Sequence, residues 1–112
     1  MKAKIRRRYL ALKIDSEGKI SQKELMDAIW DAVLRLYGEY GASKTSLALI
    51  EYDVEKNLAI IRVAHAEIEN IRAAIATITE VAAKPAAVHI LTVSGTIKKL
   101  RKKLELSMAF KP

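Results

Sequence analysis

The chain has 112 residues, 51% of them apolar, no cysteine and a formal charge of +7. That length suits one compact domain, residues 1–112, which on folding hides roughly 65% of its unfolded surface and needs neither a disulfide nor a structural metal. A disulfide framework is excluded, no run approaches the ~18 uninterrupted apolar residues of a membrane span, and the basic start lacks a following signal-peptide core, so a cytoplasmic protein without a membrane partner is the expectation.

Residues 9–14 place Leu10, Leu12 and Ile14 on one side at period two, the pattern of a half-buried strand. Asp15 to Gly18 ends it. Ser21 with Glu24 three residues on is a capping box, in which each side chain satisfies an orphan amide at a helix start. Leu25, Ile29, Val33, Leu36, Tyr37 and Tyr40 follow at helical spacing on one face, with Gly38 and Gly41 as stop signals. Residues 46–52 and 58–65 read as a hairpin with a polar turn at Asp53 to Asn57. A second helix is predicted from Ala66 to Val81, with Ile68, Ile71, Ile75 and Ile78 in a stripe, until Lys84-Pro85 breaks it. Residues 88–94 make a fourth strand. A third helix then starts after Gly95-Thr96, with Ile97, Leu100 and Leu104 on one face and cations over the rest; residues 105–112 are expected to form a loosely ordered tail.

The order β-α-β-β-α-β folds, by right-handed crossovers and short connections, into a four-stranded antiparallel sheet with two helices on one face. The expected class is therefore α+β, ferredoxin-like (RRM-like), with an added basic C-terminal helix. In this arrangement the first strand lies antiparallel beside the fourth, so the start of one meets the end of the other.

That geometry gives the charge its meaning. Residues 1–8 carry five cations and no acid, residues 98–112 carry six cations against Glu105, and residues 9–97 sum to −3. Each end is +5, and strand order is expected to bring the ends together into one patch, the alternative being two solvated tails. The strands are also apolar on both sides (Leu47 and Leu49 against Ala48 and Ile50; Ile60 against Ile61 and Val63), whereas two helices cover one face only. The C-terminal helix, a partner chain, or both must cover the other.

Protein-side catalysis finds few candidates. There are two histidines, no cysteine and no Ser-His-Asp pattern. His89 has the alternation of Leu91 and Val93, His65 sits at a strand-helix junction, and both read as structural; His65-Ala-Glu67 has too few companions for a metal site. Gly38-Glu-Tyr-Gly41 and Gly41-Ala-Ser-Lys44-Thr45 resemble phosphate-binding loops only in part, the first holding an acid and ending a helix, the second failing the Gly-to-Lys spacing. Sheet aromatics for base stacking are missing from the third strand. What remains is contact with a phosphate backbone, through Lys and Arg and through the start of the third helix at Thr96, unless Thr96 serves only as its cap. Trp30 and Leu34, one turn apart beside the core stripe, suit either core-edge packing or a protein interface.

Arg7-Arg8-Tyr9-Leu10 at the first strand, Ala48-Leu49-Ile50 in the second and above all Val93-Ser94-Gly95-Thr96-Ile97-Lys98-Lys99 resemble the protein component 2 family of archaeal ribonuclease P, which is shared with a eukaryotic ribonuclease P/MRP subunit. The resemblance spans Arg6 to Leu104. It implies membership of a ribonucleoprotein endonuclease that removes the 5′ leader of precursor tRNA by metal-assisted hydrolysis. The RNA is then the catalyst and holds the Mg2+, the protein binds no cofactor, and its own catalytic residues are none. It also implies pairing with the component 3 subunit, as a heterodimer or a heterotetramer of two copies each, and only indirect contact with precursor tRNA. The RNA-binding residues expected on this chain are Lys4, Arg6, Arg7, Arg8, Thr96, Lys98, Lys99, Arg101, Lys102 and Lys103. Two rival readings remain open from sequence: a dimeric small-molecule regulatory domain, which leaves the terminal charge idle, and a ribosomal or other general RNA-binding protein.

Overall fold

The computed structural model describes residues 6–109, with side-chain surroundings for residues 6–105. Its elements are β1 (Arg7–Ser16), α1 (Gln22–Ser43), β2 (Ala48–Asp53), β3 (Leu58–Ala64), a 3-10 turn (His65–Glu67), α2 (Ile68–Ala76), β4 (Glu80–Val81), β5 (Lys84–Ser94) and α3 (Ile97–Ala109). The class is α+β. Five strands form one antiparallel sheet in the order β2-β3-β1-β5-β4. The strand expected as the fourth is thus β5, and it lies beside β1 as strand order requires.

Alternation along β1 sorts the molecule into layers. Leu10, Leu12 and Ile14 are fully buried against α1 and α2, in a core completed by Leu25, Ile29, Val33, Ile61, Val63, Ile71 and Ile75. Ala11 points the other way, into a smaller cluster with Ile60 and Leu100, flanked by Tyr9, Ile50 and Leu104. The C-terminal helix therefore covers the second face of the sheet. No helix among the described residues is long and apolar enough to cross a membrane.

Four local features depart from the sequence expectation. First, α1 continues through Gly41 to Ser43 and kinks at Gly38, whose φ of 70° only glycine adopts cheaply. Its core contacts follow the row Leu25–Ile29–Val33–Tyr37, which drifts around the helix by roughly 40° per step at about 100° per residue. Leu36, expected in the stripe, falls off that row and is 45% exposed, and Tyr40, beyond the kink, is 75% exposed. Second, α2 stops at Ala76, and Glu80–Val81 turn back as β4 to pair with Lys84 and Pro85. The turn is Ala82-Ala83, both at positive φ, a hairpin geometry usually given to Asn-Gly. Third, β5 carries a bulge at Leu91, because Ala11 pairs with Thr92 while Leu12 pairs with Ile90. The bulge resets the alternation, so Val93 packs with the main core while His89, opposite Lys13, is exposed. His89 and Val93 do not share a face. Fourth, α3 runs beyond Leu104 to Ala109, into the segment expected to be a loose tail.

Candidate nucleic-acid interface

The patch begins with backbone pairing. Tyr9 pairs with Ser94, so the basic approach to β1 and the start of α3 emerge at one end of the sheet. Arg8 marks the junction: its Nη1 donates to the Arg7 carbonyl at 3.2 Å and lies 3.6 Å from where a Cβ on Gly95 would stand. A side chain at position 95 would meet that guanidinium directly. Arg6 and Arg7 are exposed, and Arg8 is half-buried. Lys4 lies outside the described residues.

Helix α3 starts on a hydroxyl cap. The Thr96 Oγ1 accepts the Lys99 N–H at 3.2 Å, the Ser94 Oγ accepts the Thr96 N–H at 3.5 Å, and the Leu100 N–H reaches the Thr96 carbonyl at 3.1 Å. Leu100, fully buried, and Leu104, half-buried, seat the helix on Ala11 and Ile60. With the apolar side fixed, the five cations of this helix turn outward, and all are exposed. They are not equivalent. Arg101 reaches across to β2 and holds both carboxylate oxygens of Glu51, each at 3.1 Å, while the Lys103 Nζ donates to the Val93 carbonyl at 3.0 Å. Those two cations tie α3 to the sheet. Lys98, Lys99 and Lys102 make no ion pair among the described residues.

Sequence reasoning missed Arg62. It stands opposite Tyr9 on one side and Ala48 on the other, and alternation from Ile60 places it on the α3 face. It is half-buried, and its Nε is buried without a hydrogen-bond partner. A cation within an otherwise ordinary strand carries no charge-run signal, so only the pairing register brings it beside the terminal ones.

Trp30 is half-buried against the main core, while Leu34, one turn on, is 43% exposed. They sit on α1, in the layer opposite α3. His65 and His89 are both exposed. Among the described residues no group of three or more histidine, aspartate or glutamate side chains is placed to hold a metal ion. The chemistry offered is cationic and hydrogen-bonding: exposed guanidinium and ammonium groups on an ordered scaffold, suited to polyanion binding.

Residues 8–105 match the Rpp14/Pop5 family. Ribonuclease P protein component 2 of Pyrococcus furiosus is 34% identical over 98 residues, which cover 88% of this chain and 82% of the relative. The protein of the same name from Methanosarcina barkeri is 35% identical over 107 residues, covering 96% and 78%. A chain in the cryo-electron-microscopy structure of yeast ribonuclease MRP shares the fold, with a TM-score of 0.69 over 97% of this chain and 98% of that one at 22% identity.

Proposed function

The chain belongs to the Rpp14/Pop5 family and is a protein subunit of ribonuclease P, acting in tRNA processing, and from that premise we propose how it acts. It binds and supports the catalytic RNA, which removes the 5′ leader of precursor tRNA; the Mg2+ ions of that reaction sit on the RNA, and this chain contributes no catalytic group. The observation that carries the reading is the Tyr9–Ser94 pairing, which brings Arg6, Arg7 and Arg8 to the same end of the sheet as the start of α3 and its cations Lys98, Lys99, Arg101, Lys102 and Lys103.

The exposed cations Arg6, Arg7, Lys98, Lys99 and Lys102 contact phosphates, lower their mutual repulsion as the RNA folds, and so favour metal binding within it. Its place among ribonuclease P components supports RNA and protein partners. The protein partner is component 3, in a heterodimer that doubles to a heterotetramer, and the exposed Leu34 beside Trp30 offers a surface for it. The scaffold is a ferredoxin-like arrangement extended by the short β4 and by α3, and the complex works in the cytoplasm.

Capture of the native RNA on the tagged full-length chain tests the reading. Enrichment of ribonuclease P RNA is expected, and its affinity should fall with salt at a log-log slope of roughly −3.5 to −4.5 for about five phosphate contacts. Enrichment of ribosomal RNA instead, or a flat salt response, would overturn it.

A further inference from the structure

The cationic surface does not end at Arg6. Around the corner from α3, on the α1 side of the sheet end, Arg6, Ser43, Lys44, Ser46, His65 and Glu67 line a cleft of about 530 Å³. Three separate segments build it, and two backbone hydrogen bonds pin them together: the His65 N–H to the Arg6 carbonyl and the Ala64 N–H to the Thr45 carbonyl, both at 2.7 Å.

The wall from α1 to β2 is locked from inside. Thr45 is buried, its Oγ1 donates to the Ala42 carbonyl at 2.8 Å and accepts the Leu47 N–H at 3.3 Å. Ser46 beside it is held at a φ of 52°, a left-handed conformation that serine adopts at a cost and that the surrounding bonds must sustain. Lys44 rests over the Tyr40 ring, Nζ 4.3 Å from its centroid, which limits the wandering of a long side chain. The single carboxylate, Glu67, accepts a hydrogen bond from the Asn70 amide at 3.2 Å.

The lining thus offers two cations, Arg6 and Lys44, the second steadied by its ring contact, with the His65 imidazole and the Ser46 hydroxyl, while the Ser43 hydroxyl is already donating to the Tyr40 carbonyl at 2.7 Å. This concave space is continuous through Arg6 with Arg7 and Arg8. We propose that this cleft binds a phosphodiester of the RNA, so that the strand wraps from α3 around the sheet end onto the α1 side. The inference rests on the RNA-binding reading above and extends it to Lys44, Ser46 and His65, which lie outside both charged termini.

The absence of cysteine allows a site-specific test. Ser43→Cys and Lys99→Cys, each labelled with an aryl azide, are incorporated into the reconstituted complex with cognate ribonuclease P RNA and irradiated; in parallel, RNA affinity of Lys44→Ala is measured against salt. Crosslinks from both positions, to different nucleotides, are expected, together with a salt slope shallower by about 0.7–0.9 for Lys44→Ala. Crosslinking from position 99 with none from position 43, or an unchanged slope, overturns the cleft while leaving the RNA-binding reading intact. Failure of the RNA to bind the chain at all overturns both.

Discussion

Arg101 on α3 grips Glu51 on β2 through two parallel contacts at 3.1 Å, spanning the second face of the sheet. Such a two-pronged pair fixes orientation as well as distance. Both side chains are about half exposed, 50% and 49%, so the energetic contribution is modest, on the order of 0.5–1 kcal/mol. Arg101 is therefore an anchor first. Arg101→Ala and Glu51→Ala should each speed hydrogen exchange along α3, and the double variant should be no worse than either single one. Additive effects would show that the two residues act separately.

A functional split among the α3 cations follows from the same geometry. Lys102 has no ion-pair partner among the described residues, whereas Lys103 is bonded to the Val93 carbonyl. Lys102→Ala and Arg7→Ala should each weaken RNA binding and flatten its salt dependence by about 0.7–0.9, with unfolding midpoints unchanged. If both variants keep wild-type affinity, the contact surface lies elsewhere.

Leu100 sets whether the basic helix is presented at all. It is fully buried and closes the small cluster with Ala11 and Ile60 on the second face. Truncation of a buried leucine costs about 2–5 kcal/mol, and this small cluster, free to collapse, belongs near the lower end. Leu100→Ala should lower stability in urea by about 2–3 kcal/mol and reduce RNA affinity although no charge is removed. Retention of full affinity by a folded Leu100→Ala variant would mean that α3 need not be docked for binding.

The large-scale features were legible because they rest on period and on strand order. Leu10, Leu12 and Ile14 alternate, Ser21 and Glu24 form the capping box seen at α1, and the β1–β5 neighbourhood follows from the element order. What escaped depends on interactions with no local signature. Ala82 and Ala83 turn the β4–β5 hairpin at positive φ without the usual Asn or Gly, so nothing in the sequence marks β4. The bulge at Leu91 is a pairing event, and it alone separates His89 from Val93. Within the interface, charge runs revealed the two ends, but which cations are free and which are anchors depends on Glu51 and the Val93 carbonyl, partners supplied by the tertiary fold. Lys44, Ser46 and His65 meet Arg6 only because three chain segments converge.

The capping box also makes stability depend on pH with a definite sign. The Ser21 Oγ accepts the Glu24 N–H at 3.1 Å, and the Glu24 carboxylate accepts the Ser21 N–H at 2.9 Å. That backbone bond, then the bond with the Ser21 side chain, holds the Glu24 carboxyl below its ordinary value of 4.5. Because the native state favours the ionised form, the stabilisation is fully present above pH 4.5 and is lost as the pH falls through the lowered native value. Glu24→Gln keeps a hydrogen-bonding group at the same place but removes the titration. Urea unfolding of the two proteins should show the widest stability gap near pH 7 and a narrowing gap below pH 4.5. A gap that stays constant down to pH 3 would show that the Glu24 charge contributes nothing to the fold.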